Sequence, residues 1–490
     1  MISYSTFTYH EKSLYPFKEE LSQDYRIYIG GEEVPVYTCR VSEFSFNTVW
    51  PGYPGHQRPV DQTVPASFVN IVADEDVTID VEPLIPCEKV LLKPYCKGVI
   101  PEKLGNRYRL TLQQDGAYVF MCGDHRRCMY LFKSAPITCD DPSSVTHYFG
   151  PGIHFTGRIT LHDNESVYVD KDALVYGCVF AKGVKNVRVF GNGIFDDSME
   201  ERVGNFCYEA YTNGNIKFYE CENVKVDGVG FKNSATWCVN LFGCRNVCLD
   251  GIKVFGQWRY NSDGIDIVNS QNIEIRNSFV HSFDDTITIK GIDSYKDIDN
   301  CHIHADNCVL WCDWGKTCEI GLETMCREYY DISFTNCVIL RAGNTALDIQ
   351  HGDCAEIHDI RFTDIEVEYN AFDNPPVYQK TEDQVFELEN EFYIPNLVSV
   401  RNYLFKTPES IKLWGLYDGE LPNMDGLHPG CVHDIVVDRV NVWYDDALPR
   451  NEDGSYQIPI VIKVDREGTE YENISINNVS VNGEPVELSY

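Results

Sequence analysis

No stretch of this 490-residue chain approaches the roughly 18 consecutive apolar residues of a membrane-spanning helix, which sets membranes aside as partners. Met1 runs straight into Ile-Ser-Tyr-Ser-Thr-Phe, without the basic stretch, apolar stretch and small-residue cleavage site of a secretory leader, so a cytoplasmic protein is expected. Positive charge is scarce as well: 41 Lys and Arg against 75 Asp and Glu leave a formal net charge of −34. Such a chain repels nucleic acid and polyanionic polymers at long range and favours a neutral or cationic partner. Twenty cysteines are present, yet none forms a C-x-x-C pair or a His/Cys cluster at zinc spacing. The expectation is reduced thiols used as small core residues, with no cofactor and no metal.

What the chain does contain is short strands. Residues 1–139 carry uneven strand-like runs at Tyr25–Tyr28, Val34–Val41, Phe68–Ile71, Val77–Val81, Val90–Leu92, Tyr108–Leu112 and Ala117–Met121, separated by turn signals such as Gly30-Gly31. The pattern fits an N-terminal antiparallel β-sandwich. In residues 140–490 a motif of Asn or Asp followed by alternating apolar residues returns, beginning at Asn186, Asn223, Asn246, Asn272, Asp331, Asp359, Asp434 and Asn473. The central intervals are too short for a βα unit and lack helical periodicity, so strands must stack on strands of the next coil. The expected fold class is all-β, a right-handed parallel β-helix behind the sandwich. Residues 370–430 interrupt the repeat with Pro375-Pro376, an acidic run from Glu387 to Glu391 and the aromatics Tyr378, Phe386, Phe392, Tyr393 and Trp414, which reads as a lid or contact element.

A second strand follows in each coil. Aligning Val239 and Leu241 with Ile265 and Ile267, Ile287 and Ile289, Cys318 and Ile320, and Leu347 and Ile349 puts those residues inside. One outward row then reads Asn240, Asp266, Thr288, Glu319, Asp348, and the next Phe242, Val268, Lys290, Gly321, Gln350. Two positions ahead of the first inward residue the stack is Trp237, Asp263, Asp285, Lys316, Thr345. With rungs about 4.8 Å apart, these rows form a polar wall long enough for several sugar units. Asp263 falls on Asp285 with Asp284 beside them, and acid stacked on acid is tolerated mostly where function needs it. One carboxyl of such a cluster holds its proton at neutral pH, as a general acid must.

These motifs resemble the β-helical glycoside hydrolases, namely the polygalacturonases of family 28 and the dextranase and isopullulanase group of family 49. Asn261-Ser262-Asp263 is similar to the polygalacturonase N-T-D motif, and Phe283-Asp284-Asp285 to its G-D-D motif, with Phe283 in place of glycine. The resemblance implies single displacement with inversion, Asp284 as general acid, and Asp263 and Asp285 holding and deprotonating the attacking water. Where family 28 carries Gly-His-Gly, this chain has Gly315-Lys316-Thr317; where it carries the uronate-gripping Arg-Ile-Lys, this chain has Asp348-Ile349-Gln350. An acid in place of that Arg repels a uronate, so the expected substrate is a neutral oligosaccharide or polysaccharide. The sandwich and the Trp311, Trp314, Gly315 cluster look closer to the dextranase-like group, which implies an α-glucan as one candidate.

The substrate-binding candidates are Trp237, Asn240, Asp266, Lys290, Lys316, Glu319, Asp348, Gln350 and His351. Trp258, Tyr260, Trp311 and Trp314 offer stacking faces or packed corners. Two other readings of the scaffold stay open. A polysaccharide lyase would need a uronate clamp, against which Lys290 and Lys316 are the only basic candidates on the wall; a glycan-binding protein without turnover would often be a homo-oligomer.

Overall fold

The computed structural model describes residues 2–8, 20–43, 58–123, 125–202, 214–369, 394–402, 430–444 and 469–488, with short pieces at 377–378, 387–388, 450, 454 and 456–464. Among them there is no α-helix, only strands and four short 3-10 turns. None is a helix long and apolar enough to cross a membrane.

Two sheets form the N-terminal part. The first orders Ser3–Tyr4, Thr63–Val72, Met129–Ser134, Gly116–Cys122 and Val90–Lys93, with Tyr37–Ser42 also on Thr63–Val72. The second orders Glu32–Val34, Tyr25–Ile29, Val77–Pro83, Arg107–Leu112 and Glu102–Leu104, all antiparallel. Ile27, Ile79, Val81, Leu110, Ile71, Phe120 and Leu131 fill the space between them. The run Val34–Val41, expected as one strand, is two strands in different sheets, because Pro35 has no N–H to donate to a ladder and the chain changes sheet there. Met129–Ser134 escaped notice although it is central, and its pairing with Thr63–Val72 is parallel.

The outer face of the first sheet is not solvated. Phe68, Tyr130 and Phe132 pack on Phe255, Phe279, Trp311 and Leu340 of the following part, with Phe68 and Phe132 each 5.0 Å from the Phe255 ring. A sheet buried on both sides has no reason to alternate, and Ala66 to Val72 are buried without a break.

From His147 onward a single 28-stranded sheet runs coil on coil, parallel until its terminal hairpin at Glu484–Pro485. This is the parallel β-helix. Its interior stacks like on like: Val224, Val247, Ile273, Ile303, Ile332, Ile360, Ile435 and Ile474 are successive partners in one column. Each fully buried aliphatic side chain there contributes on the order of 2 kcal/mol.

The recurring Asn or Asp has a physical job. All eight of those named above have φ between 51° and 58°, the left-handed conformation that turns the corner into each strand. Their amides also form a ladder, Asn223 Nδ2 donating to Asn186 Oδ1 at 3.1 Å, Asn246 to Asn223 at 3.1 Å and Asn272 to Asn246 at 2.9 Å. One coil was hidden because His302 takes that corner at φ 56°.

Within 370–430 the interruption is not continuous: Asn396–Asn402 stacks on Thr345–His351 and is an ordinary rung. Short paired strands at Val377–Tyr378 and Glu387–Leu388 are also described. Phe386, Phe392, Tyr393 and Trp414 lie outside the described residues. The cysteines follow expectation with one exception, a Cys87–Cys122 disulfide in the sandwich. The other described cysteines form no disulfide and are mostly buried, several inside the solenoid.

Candidate active site

Backbone hydrogen bonds fix the register at the corner that carries the acids. Cys238 N–H donates to Asp263 O at 2.9 Å, Gly264 N–H to Asp285 O at 2.8 Å, and Thr286 N–H to Lys316 O at 2.9 Å. Trp237, Asp263, Asp285, Lys316 and Thr345 therefore stack as the sequence indicates. Asn240, Asp266, Thr288, Glu319 and Asp348 are successive partners in the neighbouring row. The next row breaks: the ladder slips between Ile289 and Gly291, so Lys290 does not pair with Gly321.

Local sequence shapes this corner. Ser282 Oγ donates to Asp284 O at 2.6 Å and contacts Thr286 Oγ1 at 2.7 Å, closing the turn from which both aspartates project. Asn261, at φ 54°, donates its amide to Asp284 Oδ2 at 3.3 Å. Gly315 lies against the pair: a Cβ there would sit 2.4 Å from Asp285 Oδ1 and 2.6 Å from Asp284 Oδ1. Phe283, where the family motif has glycine, is buried against Trp314 at 5.7 Å with the Arg58 guanidinium 4.5 Å from its ring.

The wall is far drier than a solvent-facing row. Asp266 and Glu319 are 0% exposed and Asp263 1%, while Asp284 and Asp285 keep 6% and 7%. Facing away from the apolar core is thus not the same as facing water. Lys290 Nζ lies 3.2 Å from Asp285 Oδ2, 3.5 Å from Asp263 Oδ2 and 3.6 Å from Asp266 Oδ1. Lys316 Nζ lies 3.2 Å from Glu319 Oε1 and 3.7 Å from Asp285 Oδ1, whose oxygen also accepts the Lys316 N–H at 3.1 Å.

These surroundings split the acids. Burial pushes the Asp284 carboxyl well above the usual carboxylate range, helped by the negative charges of Asp263 and Asp285. Burial acts on Asp285 in the same sense, but the Lys316 and Lys290 ammonium groups, with hydrogen bonds from Glu319 and the Lys316 N–H, hold Asp285 below its ordinary value. Asp263 and Asp266 are both pushed up, by burial first and by neighbouring carboxylates next, so that pair retains a proton. Glu319 is raised by burial and by Asp285. One carboxylic acid beside one carboxylate is the equipment for giving and taking a proton at one bond.

The other candidates divide. Asp266, Lys290, Lys316 and Glu319 belong to the cluster. Asn240 uses its amide on Ile216 O at 2.9 Å and Trp237 O at 2.7 Å. Trp237 is 5% exposed, stacked on Phe242 with Lys290 Nζ 5.0 Å from its ring, so it walls the cluster and offers no open face. Asp348 and Gln350 bond each other at 2.7 Å one coil further along. His351, expected at an accessible strand end, is fully buried. Trp311 is also removed from the wall, lying in the sandwich contact 4.4 Å from the His281 ring. Asn261 and Gly315 join the site beyond the candidates that the sequence singles out, and their adjacency to the acids is the signal that marks them. A cavity of about 650 Å³ between sandwich and solenoid, lined by Lys133, Arg188, Lys225 and Lys253, includes none of the clustered acids.

Comparison with known proteins bears on the family and the fold. Residues 142–381, just under half of the chain, match the model of glycosyl hydrolases family 28. A polygalacturonase of Gossypium barbadense is 30% identical over 117 residues, 22% of this chain and 28% of that protein. An exopolygalacturonase of Cochliobolus carbonum is 27% identical over 118 residues, 23% of this chain and 26% of that protein. The chain thus spans under a third of the length of these relatives. In three dimensions Dex49A from Penicillium minioluteum superposes with a TM-score of 0.65 over 99% of this chain and 94% of that one, at 11% identity. The chain resembles β-helical glycoside hydrolases in the sequence of its central segment, and it shares the Dex49A fold along nearly its whole length.

Proposed function

We propose that this chain is a glycoside hydrolase that cleaves a neutral, non-uronic oligo- or polysaccharide with inversion of configuration. Asp284 protonates the leaving glycosidic oxygen, and Asp285, with Asp263, holds the attacking water and takes its proton. The observation that carries this reading is the opposite bias of two adjacent carboxyls, Asp284 kept protonated by burial and Asp285 kept ionised by Lys316 and Lys290.

The neutral substrate rests on charge balance. Lys290 and Lys316 engage Asp263, Asp266, Asp285 and Glu319, and Asp348 adds a further acid nearby. Both lysines are already engaged by these acids and an acid stands at 348, so a uronate carboxylate would gain no dedicated cation here, whereas sugar hydroxyls are donors that acidic side chains accept. An α-glucan is one candidate of this class.

The deciding experiment is a reducing-end screen on neutral glucans and on polygalacturonate, with the anomer of the first product followed by NMR. Release from a neutral glycan with inverted configuration is expected. Activity confined to polygalacturonate would overturn the neutral substrate, retained configuration would overturn the single displacement, and tight binding without turnover would favour a glycan-binding protein.

A further inference from the structure

Away from the acidic corner, on the outer surface of the solenoid, three different metal-binding side chains converge. One ligand atom from each of Glu356, Cys431 and His433 lies within 4.8 Å of the other two. They come from two stacked strands, Glu356–Tyr369 and Cys431–Tyr444, on which Ile357 pairs with Val432 and His358 with His433. Cys431 and His433 are two apart on one strand and so point to the same side, while Glu356 stands on the rung beside them.

The imidazole is oriented for ligation. His433 Nδ1 lies 2.7 Å from Asp434 Oδ2, and Asp434 Oδ1 in turn accepts from Asn473 Nδ2 at 3.1 Å. A carboxylate anchored in this way accepts the Nδ1–H hydrogen bond and fixes the ring, with Nε2 directed toward Glu356, the arrangement that usually stands behind a metal-bound histidine. Nε2 donates to Glu356 Oε1 at 3.0 Å, so in the metal-free chain a proton holds the place that zinc would take. On the next rung Glu470 pairs with Cys431 and Glu472 with His433, which brings two more carboxylates alongside.

We propose that Glu356, Cys431 and His433 bind one zinc ion. A thiolate, an imidazole and a carboxylate suit zinc, which accepts sulfur, nitrogen and oxygen together in a tetrahedron. Ligand atoms around tetrahedral zinc stand about 3.5 Å apart, so a small contraction of one exposed and two half-buried side chains supplies three ligands and leaves the fourth position to solvent. Binding displaces the Cys431 thiol proton and any proton on His433 Nε2 to solvent. The role is mechanical: Glu356 begins one strand and Cys431 begins the strand stacked on it, so the ion clips the starts of two successive coils and closes the 75-residue stretch of chain between them.

The test uses the full chain, stripped with a chelator and titrated with zinc against a chromogenic indicator, and separately with cobalt as a spectroscopic probe. One equivalent is expected to bind, with a thiolate-to-cobalt band in the near ultraviolet and a rise in the thermal midpoint on adding zinc. Cys431→Ser should remove the band, and both it and His433→Ala should weaken zinc at least tenfold while melting like the stripped parent. No zinc binding, or the same stoichiometry and affinity in both variants, would overturn the site. Neither outcome depends on whether the chain hydrolyses a glycan.

Discussion

Lys290 places its ammonium 3.2 Å from the carboxylate of Asp285, and the two are buried together beneath the candidate catalytic corner. Burial alone would lower the affinity of Lys290 for its proton, but Asp285, Asp263 and Asp266 more than reverse this, so the lysine stays charged. A fixed cation at this point, together with Lys316, favours ionisation of Asp285. Replacement of Lys290 by Met should therefore raise the Asp285 pKa and move the acidic limb of the kcat/KM profile to higher pH. An unmoved limb in a folded variant would separate Lys290 from that ionisation.

Asp284→Asn keeps the shape and the Asn261 contact while removing the transferable proton. Hydrolysis of a substrate with a poor leaving group should fall on the order of 10²- to 10⁴-fold. An activated aryl glycoside, which needs little protonation, should lose much less. Equal losses on both would point away from an acid.

Gly315→Ala introduces a methyl group where two carboxylate oxygens already stand at 2.4 and 2.6 Å. Both acids must shift, and misplacement of about 1 Å is enough to cost on the order of 10²-fold in rate. The added methyl also meets the Asp285 backbone nitrogen at 2.6 Å, so the thermal midpoint should fall together with the activity, and a variant with unchanged activity and midpoint would refute this close approach.

Asp197 gives a pH prediction remote from these acids. Burial is the main cause that raises its carboxyl from 3.8 to about 8, with its Oδ2 accepting Ala235 N–H at 3.0 Å. A raised acid contributes stability fully below the unfolded value and loses it as pH climbs toward the folded one. Asp197→Asn removes that titration. Its urea midpoint, relative to the parent, should improve steadily between pH 5 and pH 8, and a pH-independent difference would refute the assignment.

Much of the solenoid was legible because its rule is local. A corner residue that tolerates positive φ followed by alternating apolar residues specifies one coil, and the inward rows at 239, 265, 287, 318 and 347 come out as aligned. Legibility failed where another residue took the corner, as at His302, and where a proline split one apolar run between two sheets, as at Pro35. It failed at the zinc candidate because Cys431 and His433 meet Glu356 across a gap of 75 residues, which no spacing rule covers.

By itself the sequence determined the coil period, the alternation of faces and hence the stacking of Asp263 on Asp285, since neighbours in a strand must point to opposite sides. Tertiary structure decided how much water reaches that stack, which cations stand among the acids, and therefore which carboxyl keeps its proton. Those properties depend on burial and on charge separations of a few ångströms between residues of different coils, and neither quantity is encoded in the order of residues along one strand.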